Sequence, residues 1–526
     1  MNQSVIGTRA MVVSPHYLAS AAGQNILLQG GNAYDAAIAV SACLAVVYPH
    51  MTGVGGDSFW LMYNKQSGEV KGYNGSGRSG GNVTMNSFVG EDKIPTRGIR
   101  SIVTVPGMVD SWDAILKQYG TMSLAKVLEP AIAYASEGFP LSRNQHKNTV
   151  DQFELLQATP ITSDIYTPNG QVPKQGCRFI QKQLAASLIK LAEQGRDCFY
   201  KGELAEEIVS FIQEQGGLLN LQDFMSHKGD WLTPLKGDYR GFDVYQVPPN
   251  SQGFVGIMAL NIVENFKMSD ITEGSFEYYH LLVEALKLSF RDRNRYLTDP
   301  DFTSIPLEKL LSKQYAKELA SEITFSSTVS MDTQSVGHDT AYAAVVDDEG
   351  NAVSFIQSLY FEFGSGVVAG NTGILLQNRG SFFSLDPTHV NRLEPNKRTF
   401  HTLMPAMIFK EGRPYLLYGT QGGEGQPQTQ TLIATRILDY GLDPQAAIDA
   451  ARFVWGRTWG EESQELKVED RLPGEIVANL NDVGHCVKKV AAYDSYTGHA
   501  HAILIDDEGF KHGGVDPRSD GIAIGW

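Results

Sequence analysis

The sequence predicts an α+β protein of four layers, with helices outside two stacked antiparallel sheets. Amphipathic runs of helical period, several closed by glycine, dominate the first part, which therefore carries a large helical portion. Short strand pairs follow the first helices, and the part after residue 340 is rich in strands. Because each sheet must cover both of its faces, helices on the outer faces of two packed sheets fit these counts.

The helices are predicted mainly in the N-terminal part and the strands mainly in the C-terminal part. The helical runs are residues 16–29, 33–48, several between 107 and 217, 253–266, 276–296 and 306–322, with two more near 429–441 and 444–451. The strand runs are SFWLMY, EVKGY and DVYQVP, then TAYAAVV, NAVSFIQSLY, MPAMIF, YLLYGT, ELKVE and AHAILIDD.

Length and charge set broad limits on function. A chain of 526 residues predicts two closely packed parts or one large layered domain. The net charge of −16, without a cluster of Lys and Arg, argues against a nucleic-acid partner. No run approaches the roughly 20 apolar residues of a membrane span, and the start lacks the pattern of a secretory signal. We therefore expect no membrane partner and a cytoplasmic location.

Thr340 stands at the junction between a polar linker and a strand pair. Residues 325–339 are rich in Ser, Thr and Asp, and the pattern that follows predicts a buried hairpin whose alternate residues from Thr340 to Val346 share one face. If the chain is cut after Asp339, the freed α-amino group, with an ordinary pKa of about 7.7–8.0, can act as base for the Thr340 hydroxyl. The alternative is a threonine that merely begins a strand.

Other short patterns carry less weight. The glycines at 75, 77 and 80 fit GxGxxG, but no helix is predicted after them, which argues against a dinucleotide site. Ser187 and Lys190 form an SxxK without the partner motifs of a penicillin-binding enzyme. His499 and His501 share a strand face without a third ligand, and the four cysteines are scattered. We therefore expect neither a metal nor an organic cofactor.

Several motifs run through the whole chain, namely GGNAYDAAIA, TGVGGDSFWLMY, VPGMVDSWD, FYKGELAEEI, TAYAAVVDDEGNAVSFIQSLYFEFGSG, YGTQGGEGQPQTQ and DPRSDG. In this order they resemble the γ-glutamyltranspeptidase family of N-terminal-nucleophile hydrolases. The resemblance implies an αββα N-terminal-nucleophile hydrolase fold. It also implies a precursor that cuts itself into a large subunit, residues 1–339, and a small subunit, residues 340–526, which together form one unit.

The resemblance implies a set of catalytic residues. Thr340 matches the nucleophile, and Ser358 matches a hydroxyl residue that hydrogen-bonds it. Gly422 and Gly423 match a glycine pair whose N–H groups stabilise the oxyanion. Arg78 matches an arginine that binds a substrate carboxylate. Each assignment has a structural alternative. Thr340 would be an ordinary strand threonine, and Ser358 a hydroxyl that hydrogen-bonds the backbone. The glycine pair would be a turn that ends a strand, and Arg78 a solvated surface charge.

The substrate pocket departs from the family pattern. Phe382 replaces the carboxylate that holds the substrate ammonium group, within the stretch Arg379 to Phe382 that follows Asn378. His401 and Thr402 replace a serine pair. We assign the pocket, from the resemblance, to Tyr360, which stands in place of an asparagine, and to Asn378, Arg379, Phe382, His401 and Thr402.

These departures look more like the capsule poly-γ-glutamate depolymerase and glutaryl-cephalosporin acylase branches. Arg379 and Arg518 are then candidates for binding carboxylates, with structural ion pairing as the alternative for each. The resemblance implies a threonine amidohydrolase or acyltransferase acting on a small molecule or peptide with a γ-glutamyl or glutaryl group. The alternatives are a dedicated cephalosporin acylase and an unprocessed, inactive homologue that binds acidic peptides. Homo-oligomerisation is left open.

Overall fold

The computed structural model describes residues 3–331, 340–456 and 463–526. The strands are β1 (Val5–Gly7), β2 (Met11–Ser14), β3 (Asp57–Asn64), β4 (Glu69–Asn74), β5 (Phe139–Pro140), β6 (Arg178–Phe179), β7 (Asp230–Leu232), β8 (Leu235–Tyr239), β9 (Phe242–Gln246), β10 (Ala341–Val346), β11 (Ala352–Ser358), β12 (Ala406–Lys410), β13 (Arg413–Thr420), β14 (Phe453–Trp455), β15 (Glu465–Glu469), β16 (Cys486–Val490), β17 (Ala500–Ile505), β18 (Lys511–Val515) and β19 (Ile522–Gly525).

The helices lie in two groups, before and after the Thr340 hairpin. They are α1 (Tyr17–Leu28), α2 (Ala33–Val47), α3 (Met108–Tyr119), α4 (Leu124–Glu137), α5 (Arg143–Asp151), α6 (Phe153–Gln157), α7 (Pro160–Tyr166), α8 (Lys182–Gln194), α9 (Arg196–Tyr200), α10 (Glu203–Glu214), α11 (Leu221–Ser226), α12 (Gly253–Val263), α13 (Phe276–Tyr296), α14 (Leu307–Leu310), α15 (Lys313–Ala320), α16 (Gly425–Leu438), α17 (Pro444–Asp449) and α18 (Gly474–Asp482). Among the described residues, no helix combines the length and the apolar character needed to cross a bilayer.

Two seven-stranded sheets form the centre of the molecule. The first sheet has the order β19-β2-β10-β11-β3-β4-β7, and the second has the order β1-β18-β17-β13-β12-β9-β8. Every pairing within these two sheets is antiparallel. The hairpin predicted after Thr340 is β10 and β11, and it occupies the middle of the first sheet, as the apolar character of both its faces predicts.

Side-chain alternation along β10 separates two cores. Tyr342, Ala344 and Val346 pack between the two sheets. Ala341 and its alternate neighbours pack on the other face, against helices that include α2. On the second sheet, residues such as Ile408 face α12, α13 and α16 in a third core. The order is helix, sheet, sheet, helix, which confirms the predicted four layers.

Local sequence explains where several helices begin. Asn32 caps α2 by accepting from the N–H groups of Tyr34 and Asp35, and Asp35 accepts from Asn32 N at 3.0 Å. Every residue of α2 is buried, which accounts for its Ala-rich composition. The single helix predicted over 306–322 is instead two, α14 and α15, because Ser312 caps a new helix through Tyr315 N at 3.2 Å.

Candidate active site

Thr340 lies immediately before β10 and is fully buried. Its place in the alternation with Tyr342 puts its side chain on the face of the first sheet that meets the second sheet. The Gln426 Nε2 donates to Thr340 Oγ1 at 3.3 Å, and the Gln426 Oε1 accepts from Met404 N at 3.2 Å, which fixes the amide orientation. Since Nε2 can only donate, the threonine hydroxyl keeps its own hydrogen for another acceptor.

Three polar residues form a row across the first sheet at this point. Ala341 pairs with Gln357, so the same register places Thr340 opposite Ser358, and Ser358 pairs with Asp57 on β3. Adjacent strands are about 4.8 Å apart, so the Asp57 backbone lies about 10 Å from that of Thr340. All three residues are buried. Ser358 Oγ accepts from Tyr360 N at 2.7 Å, which directs the chain as it leaves β11.

Gly422 and Gly423 connect the end of β13 to the start of α16. Their φ angles are +119° and +51°, a region that favours glycine. Gly425 N donates to Gly422 O at 2.6 Å and Gln426 N donates to Gly423 O at 3.2 Å, which forms the first turn of the helix. Within the described part of the chain, neither glycine N–H donates a hydrogen bond. Two such donors at a helix N-terminus suit a developing negative charge.

Gln252 joins this glycine pair to the predicted pocket. Its Nε2 donates to Gly423 O at 3.1 Å and to Thr402 O at 2.9 Å. Its Oε1 accepts from the buried Arg293, which also forms an ion pair with Glu424 at 2.9 Å. Gln252, Arg293 and Gln426 were not predicted as site residues from the sequence. Gln426 does lie in the motif YGTQGGEGQPQTQ, and Gln252 lies in PPNSQG, a further stretch that resembles the family.

Arg379 is buried beside the hairpin, and no described residue forms a hydrogen-bonded ion pair with it. Within the described residues, Nε, Nη1 and Nη2 all lack a hydrogen-bond partner. The guanidinium lies 4.2 Å from the Tyr360 ring centre and 5.4 Å from that of Phe382. Burial lowers the pKa of Arg379 to about 10, and Tyr360 and Asp57 oppose this shift, so the group stays charged at neutral pH. A buried, unpaired guanidinium of this kind is a candidate anion site.

His401 and Thr402 add further unsatisfied polar atoms to the same region. His401 Nδ1 and Thr402 Oγ1 are buried and have no hydrogen-bond partner in the described part of the protein. His401 Nε2 lies 3.3 Å from Asp57 Oδ2. Burial, with a contribution from the charge of Arg379, holds the pKa of His401 well below its usual value, so the imidazole is neutral. Burial raises the pKa of Asp57 to about 7.

Asn378 holds the loop that follows β11. Its Oδ1 accepts from Phe361 N at 3.2 Å, and its Nδ2 donates to the Thr96 carbonyl. A cavity of about 470 Å³ opens here and has Phe361 and Thr96 in its wall. Charged side chains of both signs line it, namely Lys93, Arg97, Lys147, Asp151, Glu362 and Asp494. The cavity therefore lies close to the end of β11.

Two predicted arginines have protein carboxylates as partners. Arg78 pairs with Asp299 at 3.1 Å and with Asp301 at 2.9 Å. Arg518 is buried and pairs with Glu469 and with Asp516, the latter at 2.9 Å. The contacts thus bring Tyr360, Arg379, Phe382 and His401 together in one cluster, whereas the charges of Arg78 and Arg518 are already balanced.

One group in the described ranges brings three metal-ligand atoms within 4.8 Å, namely His280, Glu284 and His485. Glu284 Oε1 already accepts from Lys287 Nζ at 2.9 Å and from Thr328 Oγ1 at 2.7 Å. An ammonium group at this distance repels a cation, so the group suits a structural role better than a metal site. It anchors residues 324–329, which lead towards Thr340.

Comparison with known proteins identifies the family of this chain. Residues 19–526 match the profile of the gamma-glutamyltranspeptidase family. The chain is similar to the glutathione hydrolase-like YwrD proenzyme of Bacillus subtilis, with 62% identity over 525 residues and 100% of both chains covered. It is also similar to the oxamate amidohydrolase proenzyme of Klebsiella pneumoniae, with 38% identity over 531 residues and again 100% of both chains.

A solved structure supports the same assignment. The cephalosporin acylase from Bacillus halodurans superposes with a TM-score of 0.93 at 37% identity, covering 100% of this chain and 97% of that one. The match confirms the predicted N-terminal-nucleophile hydrolase fold. The chain belongs to the γ-glutamyltranspeptidase family of enzymes.

Proposed function

We propose that this protein is a self-processing threonine amidohydrolase that cleaves γ-glutamyl or glutaryl amides through an acyl-enzyme on Thr340. The observation that carries the proposal is Arg379, a buried guanidinium for which the described residues supply no hydrogen-bond acceptor, next to the hairpin that follows Thr340. Burying such a charge is unfavourable unless a ligand anion pairs with it. A substrate with a carboxylate at one end and an amide at the other meets this requirement.

Maturation begins at the peptide bond between residue 339, outside the described residues, and Thr340. Thr340 Oγ1 attacks the carbonyl carbon of residue 339, and the peptide nitrogen leaves as the amine of Thr340, which gives an ester. Water then cleaves the ester, releasing a new carboxyl end and a free N-terminal threonine. The names of the two relatives, both proenzymes, support a processing step.

Turnover uses the freed terminus. The Thr340 amine takes the proton of Oγ1 while Oγ1 attacks the amide carbonyl, and Gln426 Nε2 holds the oxygen in place. The N–H groups of Gly422 and Gly423 stabilise the oxyanion, an effect worth about 2.7–4 kcal/mol for one such donor. The amine leaves with the proton, and water, or an amine acceptor in the transfer reaction, then attacks the acyl-enzyme.

The pocket residues favour an acid without an ammonium group. Phe382 and Tyr360 present aromatic rings around Arg379. Asp57 is the nearby carboxyl group, but Oδ1 accepts from three N–H donors and Oδ2 faces His401. A substrate ammonium would therefore find no free carboxylate there, so glutaryl amides should be cleaved at least as well as γ-glutamyl amides.

A panel of anilides tests this proposal. We expect kcat/KM for the glutaryl anilide to equal or exceed that for the γ-glutamyl anilide. The butyryl anilide, which has the same chain without the carboxylate, should be at least about tenfold slower, because a hydrogen bond to a charged group contributes roughly 1.5–3 kcal/mol. A strong preference for the γ-glutamyl compound would refute the role given to Phe382, and equal rates for butyryl and glutaryl would refute that of Arg379.

A dedicated cephalosporin acylase is the second candidate. Its support is the solved acylase with a TM-score of 0.93, together with the cavity of about 470 Å³ beside the hairpin, which has room for a bulky amine. Hydrolysis of a glutaryl cephalosporin faster than that of the glutaryl anilide would favour it. The inactive peptide-binding alternative requires an uncut chain, and it fails if the purified protein shows two bands on a denaturing gel.

A further inference from the structure

The two oxygens of the Asp57 carboxyl group lie in very different environments. Oδ1 accepts three hydrogen bonds, from Gly77 N at 3.2 Å, Gly107 N at 3.1 Å and Gln377 Nε2 at 3.0 Å. Oδ2 faces His401 Nε2 at 3.3 Å. Because Oδ1 is surrounded by donors, a proton on Asp57 must sit on Oδ2 and point to His401.

This arrangement ties the tautomer of His401 to the charge of Asp57. A neutral imidazole has one nitrogen that donates and one that accepts. When Asp57 is protonated, its Oδ2–H donates to His401 Nε2, and Nδ1 must carry the ring hydrogen. When Asp57 is ionised, His401 Nε2–H donates to Oδ2, and Nδ1 presents a lone pair. His401 Nδ1 is the buried atom for which the described protein supplies no partner.

We propose that Asp57 is a positioning residue that sets the tautomer of His401 and thereby switches substrate binding. With Asp57 protonated, His401 Nδ1–H donates to the substrate carboxylate held by Arg379. With Asp57 ionised, the Nδ1 lone pair repels that carboxylate. This inference rests on the proposed function of Arg379 and adds a control that acts at the same pocket.

The surroundings of Asp57 place its titration, and therefore the switch in substrate binding, near neutral pH. The charged or titratable groups that face it are Arg379, His401 and Tyr200. Burial raises the pKa of Asp57 to about 7, although Arg379 and the three N–H donors oppose the rise. Ionised Asp57 also offsets the charge of Arg379, so both effects weaken anion binding at higher pH. Binding of a carboxylate should in turn favour the protonated form of Asp57.

Asp57→Asn provides a direct test, because its amide keeps the Oδ1 acceptor and replaces Oδ2 by a permanent donor to His401 Nε2. For the processed wild type, we expect KM for the glutaryl anilide to rise about tenfold from pH 6 to pH 8.5, the low end for one hydrogen bond to a charged group. The asparagine variant should show a nearly constant KM. Asp507→Asn, at an exposed acid, should behave as wild type.

Nitrogen-15 spectra of the histidine rings test the switch without substrate, and His401→Gln identifies the His401 signals. The expected result is Nδ1–H at pH 5.5 and Nε2–H at pH 8.5 in the wild type, with Nδ1–H at both values in Asp57→Asn. A single wild-type tautomer at both pH values would overturn the inference, and so would a pH slope of KM that persists in Asp57→Asn. Failure of the wild type to cleave any carboxylate amide would instead overturn the proposed function.

Discussion

Replacing Arg379 by methionine should lower activity and raise stability at the same time. Arg379 is buried with no hydrogen-bond partner among the described residues, and burial lowers its pKa to about 10. This lowering of the pKa corresponds to about 3 kcal/mol of unfavourable burial. Losing the contacts of the guanidinium with the Tyr360 and Phe382 rings costs about 0.5–2 kcal/mol of that gain in stability. The free protein should therefore gain about 1–3 kcal/mol, since methionine fills a similar volume without a charge.

The same change removes the group proposed to bind the substrate carboxylate. Two charge-assisted hydrogen bonds, at roughly 1.5–3 kcal/mol each, correspond to a loss of at least about 100-fold in kcat/KM for the glutaryl anilide. The butyryl anilide should be affected much less. Urea unfolding and anilide kinetics measure the two effects separately.

Arg518→Met serves as the matched control. Arg518 is also buried, but it pairs with Glu469 and Asp516, so its removal leaves each of these buried carboxylates with one arginine partner instead of two. That variant should lose about 3–5 kcal/mol. The reasoning is refuted if Arg379→Met is destabilised to a similar degree, or if it loses glutaryl and butyryl activity equally.

Three further results are expected. Thr340→Ala should remain one band of 57.7 kDa without activity, whereas Thr340→Ser should still yield two bands; cleavage of the alanine variant would remove the nucleophile assignment. Because the pKa of Asp57 rises from 3.8 to about 7 on folding, the folded state holds a proton that the unfolded chain releases between these values. The free energy of unfolding should therefore fall as pH rises from about 4 to 7, by up to about 4 kcal/mol, and urea titrations of Asp57→Asn should lack this component. Glu284→Ala should cost about 3–5 kcal/mol by leaving the buried Lys287 unpaired; an unchanged unfolding midpoint would contradict the anchoring role of this pair.

The layers and the hairpin were predictable from the sequence because they depend on local periodicity. The alternation from Thr340 to Val346 predicts a strand buried on both faces, and β10 is such a strand. The run 276–296 predicts a helix that the structure shows with the same ends. Boundaries set by a single cap, such as Ser312, were harder to predict because one side-chain bond decides them.

The pocket was predicted less completely because its contacts join distant parts of the chain. His401 and Asp57 are 344 residues apart, and Gln252 and Gly423 are 171 residues apart. Neither pairing leaves a spacing pattern in the sequence. The resemblance to the family predicted Thr340 and Arg379 as site residues. That the nitrogens of Arg379 lack hydrogen-bond partners among the described residues could be recognised only from the three-dimensional structure.

The position of β10 and β11 has a consequence for the two chains that cleavage before Thr340 would create. The hairpin lies between β2 and β3 in the first sheet, and the second sheet joins β12, β13, β17 and β18 to β1, β8 and β9. Each of these two sheets thus contains strands from both fragments, which share backbone hydrogen bonds along several edges. Neither fragment contains all the strands of either seven-stranded sheet, so the cleaved molecule should elute as one species from a non-denaturing column. Mixing separately expressed halves should reconstitute it only if they fold in each other's presence.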